Sequence, residues 1–401
     1  MISEASRPYI DASVPVLREH GVTITRLFYA NMLGTHPELT RIFNMGNQAN
    51  GAQQQSLASA VFAYAANIGN PGALGPVVER IVHKHVSVGI RAEHYPIVGK
   101  HLLESIAATL GDAATEPLLN AWKEAYNSLA KLLIEAEANL YSTAGIQPGD
   151  TRPMRVVEVK TESVNVLSIR FVPADGKPVP AFKPGQYVSV AVDLPGGRHQ
   201  LRQYSLSDAP NGEDLRISVK REDGVDNTPA GEVSNWLHAN VKVGATLQVS
   251  HPFGEFLPET EGDAPLVLLS AGVGITPMVS SLKRVAQVNP QRRVIFAHAA
   301  RDAGHHALRA EVDALRAAMP NLSVVSFHED AQKDEKNRAG VIEGRMDVAK
   351  LPAWPVEEAE VYLCGPHKFM QVQWLDLLNA GVPAGRLHRE VFGPELLDHL
   401  L

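Results

Sequence analysis

The chain has 401 residues, more than one hydrophobic core usually serves, so two or three domains are expected. Its composition, 45% hydrophobic and 20% charged, is that of a globular protein, and a net charge of −7 argues against nucleic acid or an anionic membrane as main partner. One cysteine excludes an intramolecular disulfide and a thiolate metal site. No run of about 18 apolar residues is present to span a bilayer, and Met1-Ile2-Ser3-Glu4 does not begin a signal peptide, so the expected address is the cytoplasm.

Residues 1–145 follow a helical period from Pro8 to Tyr141, with breaks expected at Gly21, Pro37, Gly51, Gly69, Gly75, Gly111 and Pro117. About six or seven helices without strand-like runs follow from that spacing. Three polar residues fall on apolar faces. His85 shares its face with Val82, Ile81 and Val78, whereas His83 lies with Arg80 and Glu79. His85 is therefore either a core histidine satisfied by a carbonyl or an axial ligand to haem iron. Glu137 sits among Ile134, Leu133, Ala130 and Tyr141, while Glu135 sits with Lys131 and Ser128. A carboxylate in such a stripe needs a donor or lies at the stripe's edge. Tyr29 lies on the helix expected from Thr23 to Leu33, and Phe43 in the turn beyond it. His94 and His101 are read as peripheral.

Ser142 to Asp150 breaks the helical pattern, and residues 152–258 then alternate with period two. Val156, Val159, Val166, Ile169 and Phe171, then Gln186 to Val190 and Leu215 to Lys220, predict short strands of an antiparallel β-barrel. On the strand Arg202-Gln203-Tyr204-Ser205, alternation puts Arg202 and Tyr204 on one face, suited to a ligand part phosphate and part flat ring. Gly231, Val233 and Ser234 open a helix, either a pyrophosphate site or a plain loop-to-helix junction.

Residues 264–401 alternate strand and helix, which predicts an α/β domain with a parallel sheet. Gly272-Val273-Gly274-Ile275-Thr276-Pro277 lies where its first strand becomes a helix, and its glycines allow close backbone approach to phosphates. Cys364-Gly365-Pro366 ends a later strand; a buried structural thiol is the ordinary reading of this cysteine. Arg301 suits a 2′-phosphate and the adjacent Asp302 a free ribose, so NADH and NADPH are not distinguished.

RQYS, then GVGITP, then CGP resembles the ferredoxin–NADP reductase-like flavoprotein module. Tyr29, Phe43, Gln53 with Leu57, His85, Tyr95 and Glu137 match the haem-pocket pattern of bacterial flavohaemoglobins, and the reductase module follows directly, as in that family. The resemblance spans essentially the whole chain and is specific, because two unrelated signatures occur in the family's order. It implies a globin with haem b, then a barrel for FAD, then a domain for NADH or NADPH. His85 resembles the proximal iron ligand, Tyr95 and Glu137 its hydrogen-bonding pair, and Tyr29 and Gln53 the distal residues. Phe43 resembles the residue that wedges the porphyrin, and Lys84, next to His85 in the sequence, is either a charge that tunes the ligand or, more ordinarily, a solvated lysine.

The FAD residues it implies are Tyr187, Arg202, Gln203, Tyr204, Ser205, Gly231, Val233, Ser234 and the run Glu390-Val391-Phe392-Gly393-Pro394. Within that run Phe392 resembles the aromatic covering the flavin. For the nicotinamide nucleotide the resemblance implies Gly272 to Pro277, with Cys364, Gly365 and Pro366. The implied activity is that of a nitric oxide dioxygenase, consuming NO, O2 and NAD(P)H to give nitrate, with electrons passing from NAD(P)H through FAD to haem. The alternatives are an NAD(P)H-driven reductase of O2 or peroxides and an oxygen-storing or oxygen-sensing globin. A monomer is expected, a lipid in the haem pocket is allowed, and no nucleic acid or membrane span is implied.

Overall fold

The computed structural model describes residues 2–224, 229–331 and 338–394, so the last residues of the third expected domain lie outside it. Two compact units emerge. The first takes in the chain up to Thr151, the segment Ala191–Arg202 and, at the far end, Gly393 and Pro394. The second holds Arg152–Val190 and Gln203–Phe392. Among the described residues no helix is long and apolar enough to cross a membrane.

The first unit is helical: α1 (Arg7–Thr35), α2 (Met45–Ala49), α3 (Ala52–Ala66), α4 (Gly75–Val88), α5 (His94–Leu110) and α6 (Glu116–Ala144). Ile10, Leu17, Ile24, Phe28 and Met32 form one stripe of α1 and pack with Phe62 of α3, Leu102 and Ile106 of α5, and Trp122 and Ala125 of α6. The break expected at Gly21 does not occur, because α1 runs through it. A Cβ at Gly21 would stand 3.4 Å from the Ala58 Cβ, so this glycine allows close helix contact and stops nothing. Thr25 reinforces the crossing by donating to the Gln54 carbonyl of α3 at 2.8 Å.

The second fold element is a six-stranded sheet in the order β4-β3-β6-β1-β2-β5. Its strands are β1 (Thr151–Ser163), β2 (Val166–Pro173), β3 (Tyr187–Leu194), β4 (Arg198–Ser205), β5 (Leu215–Lys220) and β6 (Thr246–Ser250), with α7 (Glu232–Asn240) between the last two. β1 to β2 and β2 to β5 run antiparallel. Just past β4, Leu206 bridges Ile217 of β5, which joins the two ends of the strand order and closes the sheet as a barrel.

The chain ends in a parallel sheet, β10-β9-β8-β7-β11-β12, formed by β7 (Leu266–Ala271), β8 (Val294–Ala300), β9 (Leu322–His328), β10 (Val341–Glu343), β11 (Glu360–Cys364) and β12 (Leu387–Glu390). Helices α8 (Ile275–Val288), α9 (Arg309–Leu315) and α10 (His367–Asn379) belong to the same domain. Every residue of β7 is buried, with Leu266 and Leu268 in one core and Val267 and Leu269 in another. A strand covered on both faces reads as a continuous apolar run for that reason.

Barrel and parallel-sheet domain are clamped together by charges that no local pattern revealed. Arg216, 4% exposed, donates to Glu311 at 2.6 Å and also to the Ser207 carbonyl. Lys283 pairs with Asp208 and, at 3.2 Å, with Glu311, while Arg170 reaches Asp208 at 2.8 Å. Burial pushes Asp208 and Glu311 up, but the cations, Arg216 first, outweigh it and hold both carboxyls below their ordinary values. Their contribution is thus complete above the unfolded carboxyl range, roughly pH 4, and is lost as pH falls through the depressed folded values. Arg216→Leu leaves the buried Asp208 and the half-buried Glu311 short of a counter-charge, at a cost of about 3 kcal/mol. Urea unfolding at neutral pH should show that loss, and it should shrink on acidification below about pH 4.

Candidate active site

α4 begins with Gly75-Pro76, where a missing amide proton costs nothing, and ends at Gly89 with φ 81°. His85 stands in its last turn. Tyr95 comes from the first turn of α5 and Glu137 from the C-terminal half of α6. The Glu137 carboxylate, 3% exposed, has Oε1 at 2.8 Å from His85 Nδ1 and 2.6 Å from the Tyr95 hydroxyl, which is itself 3.2 Å from Nδ1. A carboxylate accepts only, so Tyr95 donates its proton to it and His85 donates Nδ1–H. With the proton on Nδ1, the neutral imidazole carries its lone pair on Nε2. Burial raises the Tyr95 phenol far above its ordinary value, and the Glu137 hydrogen bond and charge raise it further, so it stays a donor.

Among the described residues Nε2 makes no hydrogen bond, and the imidazole is about one-third exposed, with a side-chain value of 34%. An oriented imidazole with an exposed lone pair and an anionic partner behind it is the donor set of an axial haem ligand, and the residues present fit that group. Two further tyrosines brace the arrangement. Tyr141 donates to the Ile90 carbonyl at 2.9 Å and the Val86 carbonyl at 3.3 Å, capping the end of α4. Tyr126 donates to the Tyr95 carbonyl at 2.6 Å. Sequence reasoning counted Tyr141 only as part of an apolar face and did not single out Tyr126.

Tyr29 is buried, edge-on to Phe28 at 4.8 Å and to Phe43 at 5.7 Å. Burial drives its phenol well up, and the nearby Gln53 and Gln48 amides draw it partly back. Gln53 was expected beside Tyr29; Gln48 was not. Gln48 lies on α2, and its Oε1 accepts from Gln54 Nε2 at 2.9 Å. No period marks a functional glutamine on a five-residue helix, so only the fold reveals it. Leu57 packs at the border of the helical core. Lys84 donates to the Gly393 carbonyl at 3.0 Å. His94 accepts from the Arg91 amide, and His101 lies edge-on to His36, so neither joins the triad around His85.

In the barrel, Arg202 and Tyr204 are both half-buried on one face of β4; on the other face Gln203 is exposed and Ser205, at the end of the strand, is buried. Tyr187 begins β3 after Gly185, whose φ is 98° and whose Cβ would overlap the Phe256 carbonyl oxygen. Gly231 precedes α7, and Ser234 Oγ turns back to its carbonyl at 3.1 Å, so Val233 and Ser234 stand in the first turn with that turn's amides pointing outward. Glu390 and Val391 are buried at the end of β12, Phe392 is 44% exposed, and Gly393 has φ 94°.

The two later motifs meet. β7 and β11 are neighbours, with Ser270 opposite Cys364, and Cys364 in turn opposite Glu390 of β12. A Cβ at Gly274 would stand 2.3 Å from the Cys364 carbonyl oxygen, and one at Gly365 would stand 2.8 Å from Phe369. Protein packing by itself therefore demands glycine at 274, beside the close approach to phosphates expected from the sequence. Gly272, with φ 54° and open space around it, is demanded by backbone conformation. Thr276 Oγ1 donates to the Val273 carbonyl at 3.0 Å and Pro277 is buried in the first turn of α8. Burial, and then the Glu390 charge, raises the Cys364 thiol well above its ordinary value, which removes it from nucleophilic duty. Asp302 is engaged with His305 at 2.8 Å.

Family models cover each region in turn: globin over residues 26–133, oxidoreductase FAD-binding domain over 153–257 and oxidoreductase NAD-binding domain over 268–373. A flavohemoprotein of Bordetella parapertussis is 49% identical, with 98% of this chain and 99% of that one aligned. One of Rhizobium meliloti is 45% identical over 99% of each. Among solved structures, the flavohemoglobin of Malassezia yamatoensis with bound FAD and heme superposes with TM-score 0.86 and 32% identity, over 98% of this chain and 100% of that one. The FAD/NAD-binding domain of a nitric oxide dioxygenase from Vibrio cholerae covers 61% of this chain and 100% of its own, with 40% identity and TM-score 0.56. An N-terminal globin, an antiparallel FAD-binding domain and a parallel-sheet NAD-binding domain, in one polypeptide and in that order, place the chain in the flavohemoprotein family of oxidoreductases.

Proposed function

We propose that this chain is a cytoplasmic NAD(P)H-dependent nitric oxide dioxygenase, turning NO and O2 into nitrate and so detoxifying NO. The observation that carries the reading is the buried Glu137 between His85 and Tyr95. Bound haem supplies a one-electron redox centre and bound FAD the step from a two-electron hydride to single electrons. Glu137 holds the Nδ1 proton of His85 and gives the imidazole anionic character, which raises its donor strength at Nε2. Tyr95 steadies that carboxylate by donating to the same oxygen. A reversible oxygen carrier gains little from such a donor, so the triad favours turnover over storage. Tyr29, kept protonated by burial with the Gln53 and Gln48 amides near it, would offer a hydroxyl proton to negative charge developing on a bound substrate. Arg202 and the first turn of α7 offer positive charge and backbone amides to the flavin's phosphates, and Tyr204 and Phe392 offer aromatic faces to its ring. The GVGITP and CGP loops receive the nicotinamide nucleotide.

The decisive experiment supplies purified holoprotein with NADH, O2 and NO. NO is expected to vanish with nitrate formed in equal amount. NADH oxidation that proceeds rapidly without NO and is unchanged by it would instead assign an O2 or peroxide reductase. Tyr29→Phe removes the distal proton donor while keeping the ring packed on Phe43, and should lower NO consumption by about tenfold or more with haem content unchanged. Unaltered turnover would remove Tyr29 from the distal role.

A further inference from the structure

Helix α2 is only five residues long, too short to persist by its own hydrogen bonds. Its first amides are satisfied from outside the helix. Asn44 Oδ1 accepts from Gly46 N at 3.0 Å and Asn47 N at 3.3 Å. The Met45 amide donates at 3.3 Å to Oε1 of Gln200, a residue of β4 distant in sequence. Gln200 is 3% exposed and uses its whole amide. Nε2 donates to the Thr40 carbonyl at 2.8 Å, in the turn ahead of Phe43, and to the His199 carbonyl at 3.0 Å. Oε1 also accepts from Arg202 at 3.0 Å, two residues along the same strand. Gln48 of α2 accepts from Gln54 Nε2 at 2.9 Å and lies near enough to Tyr29 to bear on its phenol.

We infer that Gln200 is a positioning residue that ties the arginine of the RQYS strand to the distal side of the helical unit. One amide fixes three things together: the guanidinium of Arg202, the turn at Thr40 and the N-terminus of the helix bearing Gln48. The segment Ala191–Arg202 clusters with the helical unit, as such a tie requires. The inference rests on the proposed passage of electrons from flavin to haem for its kinetic consequence, but not for its structural one.

The test compares full-length holoprotein, Gln200→Leu and Gln200→Glu. The leucine variant loses every bond; the glutamate variant keeps the acceptor for Met45 and Arg202 and loses the donor to Thr40. In Gln200→Leu, hydrogen exchange at Met45 should rise about tenfold, the scale of one lost hydrogen bond, while exchange in β5 and β7 stays unchanged. By stopped flow, haem reduction should slow about tenfold with flavin reduction by NADH within about twofold of the parent. Gln200→Glu should restore protected exchange at Met45 and part of the haem rate. Unchanged exchange at Met45 would overturn the inference, as would flavin and haem steps slowing together. If the parent itself reduces flavin but never haem, the proposed electron route fails, and exchange at Met45 alone then decides the role of Gln200.

Discussion

Replacing His85 with alanine leaves a purified chain without a haem absorption band, while NADH still reduces its flavin. His85 alone presents an oriented nitrogen lone pair beside the Tyr95–Glu137 pair. Its loss also strands a carboxylate that is 3% exposed with a phenol as its only described partner. Haem content should fall by about tenfold or more, because outer partners cannot replace the bond they orient. The flavin and nucleotide residues belong mostly to the other compact unit and do not depend on this imidazole. Glu137→Gln is the sharper companion. The amide keeps an oxygen that can accept from both His85 and Tyr95 but not the negative charge, so haem stays and turnover drops about 10- to 100-fold. Equal turnover in the glutamine variant would show that the imidazole needs holding and not polarising.

Gly274→Ala is the second large effect. The backbone at Gly274 has φ −61°, which any residue adopts, so the penalty comes from space alone. The added methyl would meet the Cys364 carbonyl oxygen at 2.3 Å and the Gly365 amide at 2.8 Å, both backbone atoms that no rotamer change can move. Strands β7 and β11 would have to separate at their ends, at a cost of about 3 kcal/mol. That displacement parts the two loops expected to receive the nucleotide, so NADH-dependent flavin reduction should fall about tenfold or more, with haem content unaltered. Gly272→Ala is the control. Nothing lies within 4 Å of its Cβ position, and only its φ of 54° is strained, so it should cost about 1 kcal/mol. Equal losses in the two variants would mean that conformation and not contact governs the loop.

Helical periodicity alone separated His85 from His83 and Glu137 from Glu135, because a 3.6-residue repeat fixes which side chains share a face. Strand alternation likewise put Arg202 and Tyr204 together on β4. These are local rules, and they found what local rules can find. The resemblance supplied the pairing of His85 with Tyr95 and Glu137, which three separate helices bring within 3.2 Å. What escaped notice was tertiary. Gln48 and Gln200 lie on unrelated elements and look like any surface glutamine until the fold makes them neighbours of Tyr29 and Met45. The Arg216, Asp208, Lys283 and Glu311 cluster joins residues nearly a hundred positions apart, with no spacing to betray it. Gly21 misled because a glycine that stops a helix and one that lets two helices touch are the same letter. Ala58, its partner, becomes visible only when α3 is laid across α1.

Leu206 and Ile217 close the barrel one residue beyond the strand that carries Arg202 and Tyr204. An open sheet would expose a ladder of unsatisfied amides on which a second copy could nucleate, above all in newly synthesised chains that have not yet acquired their flavin. Joining the ends at that rung shortens the free barrel edge that cofactor-depleted molecules offer for pairing, so that edge should be less prone to nucleate aggregation while they wait for FAD.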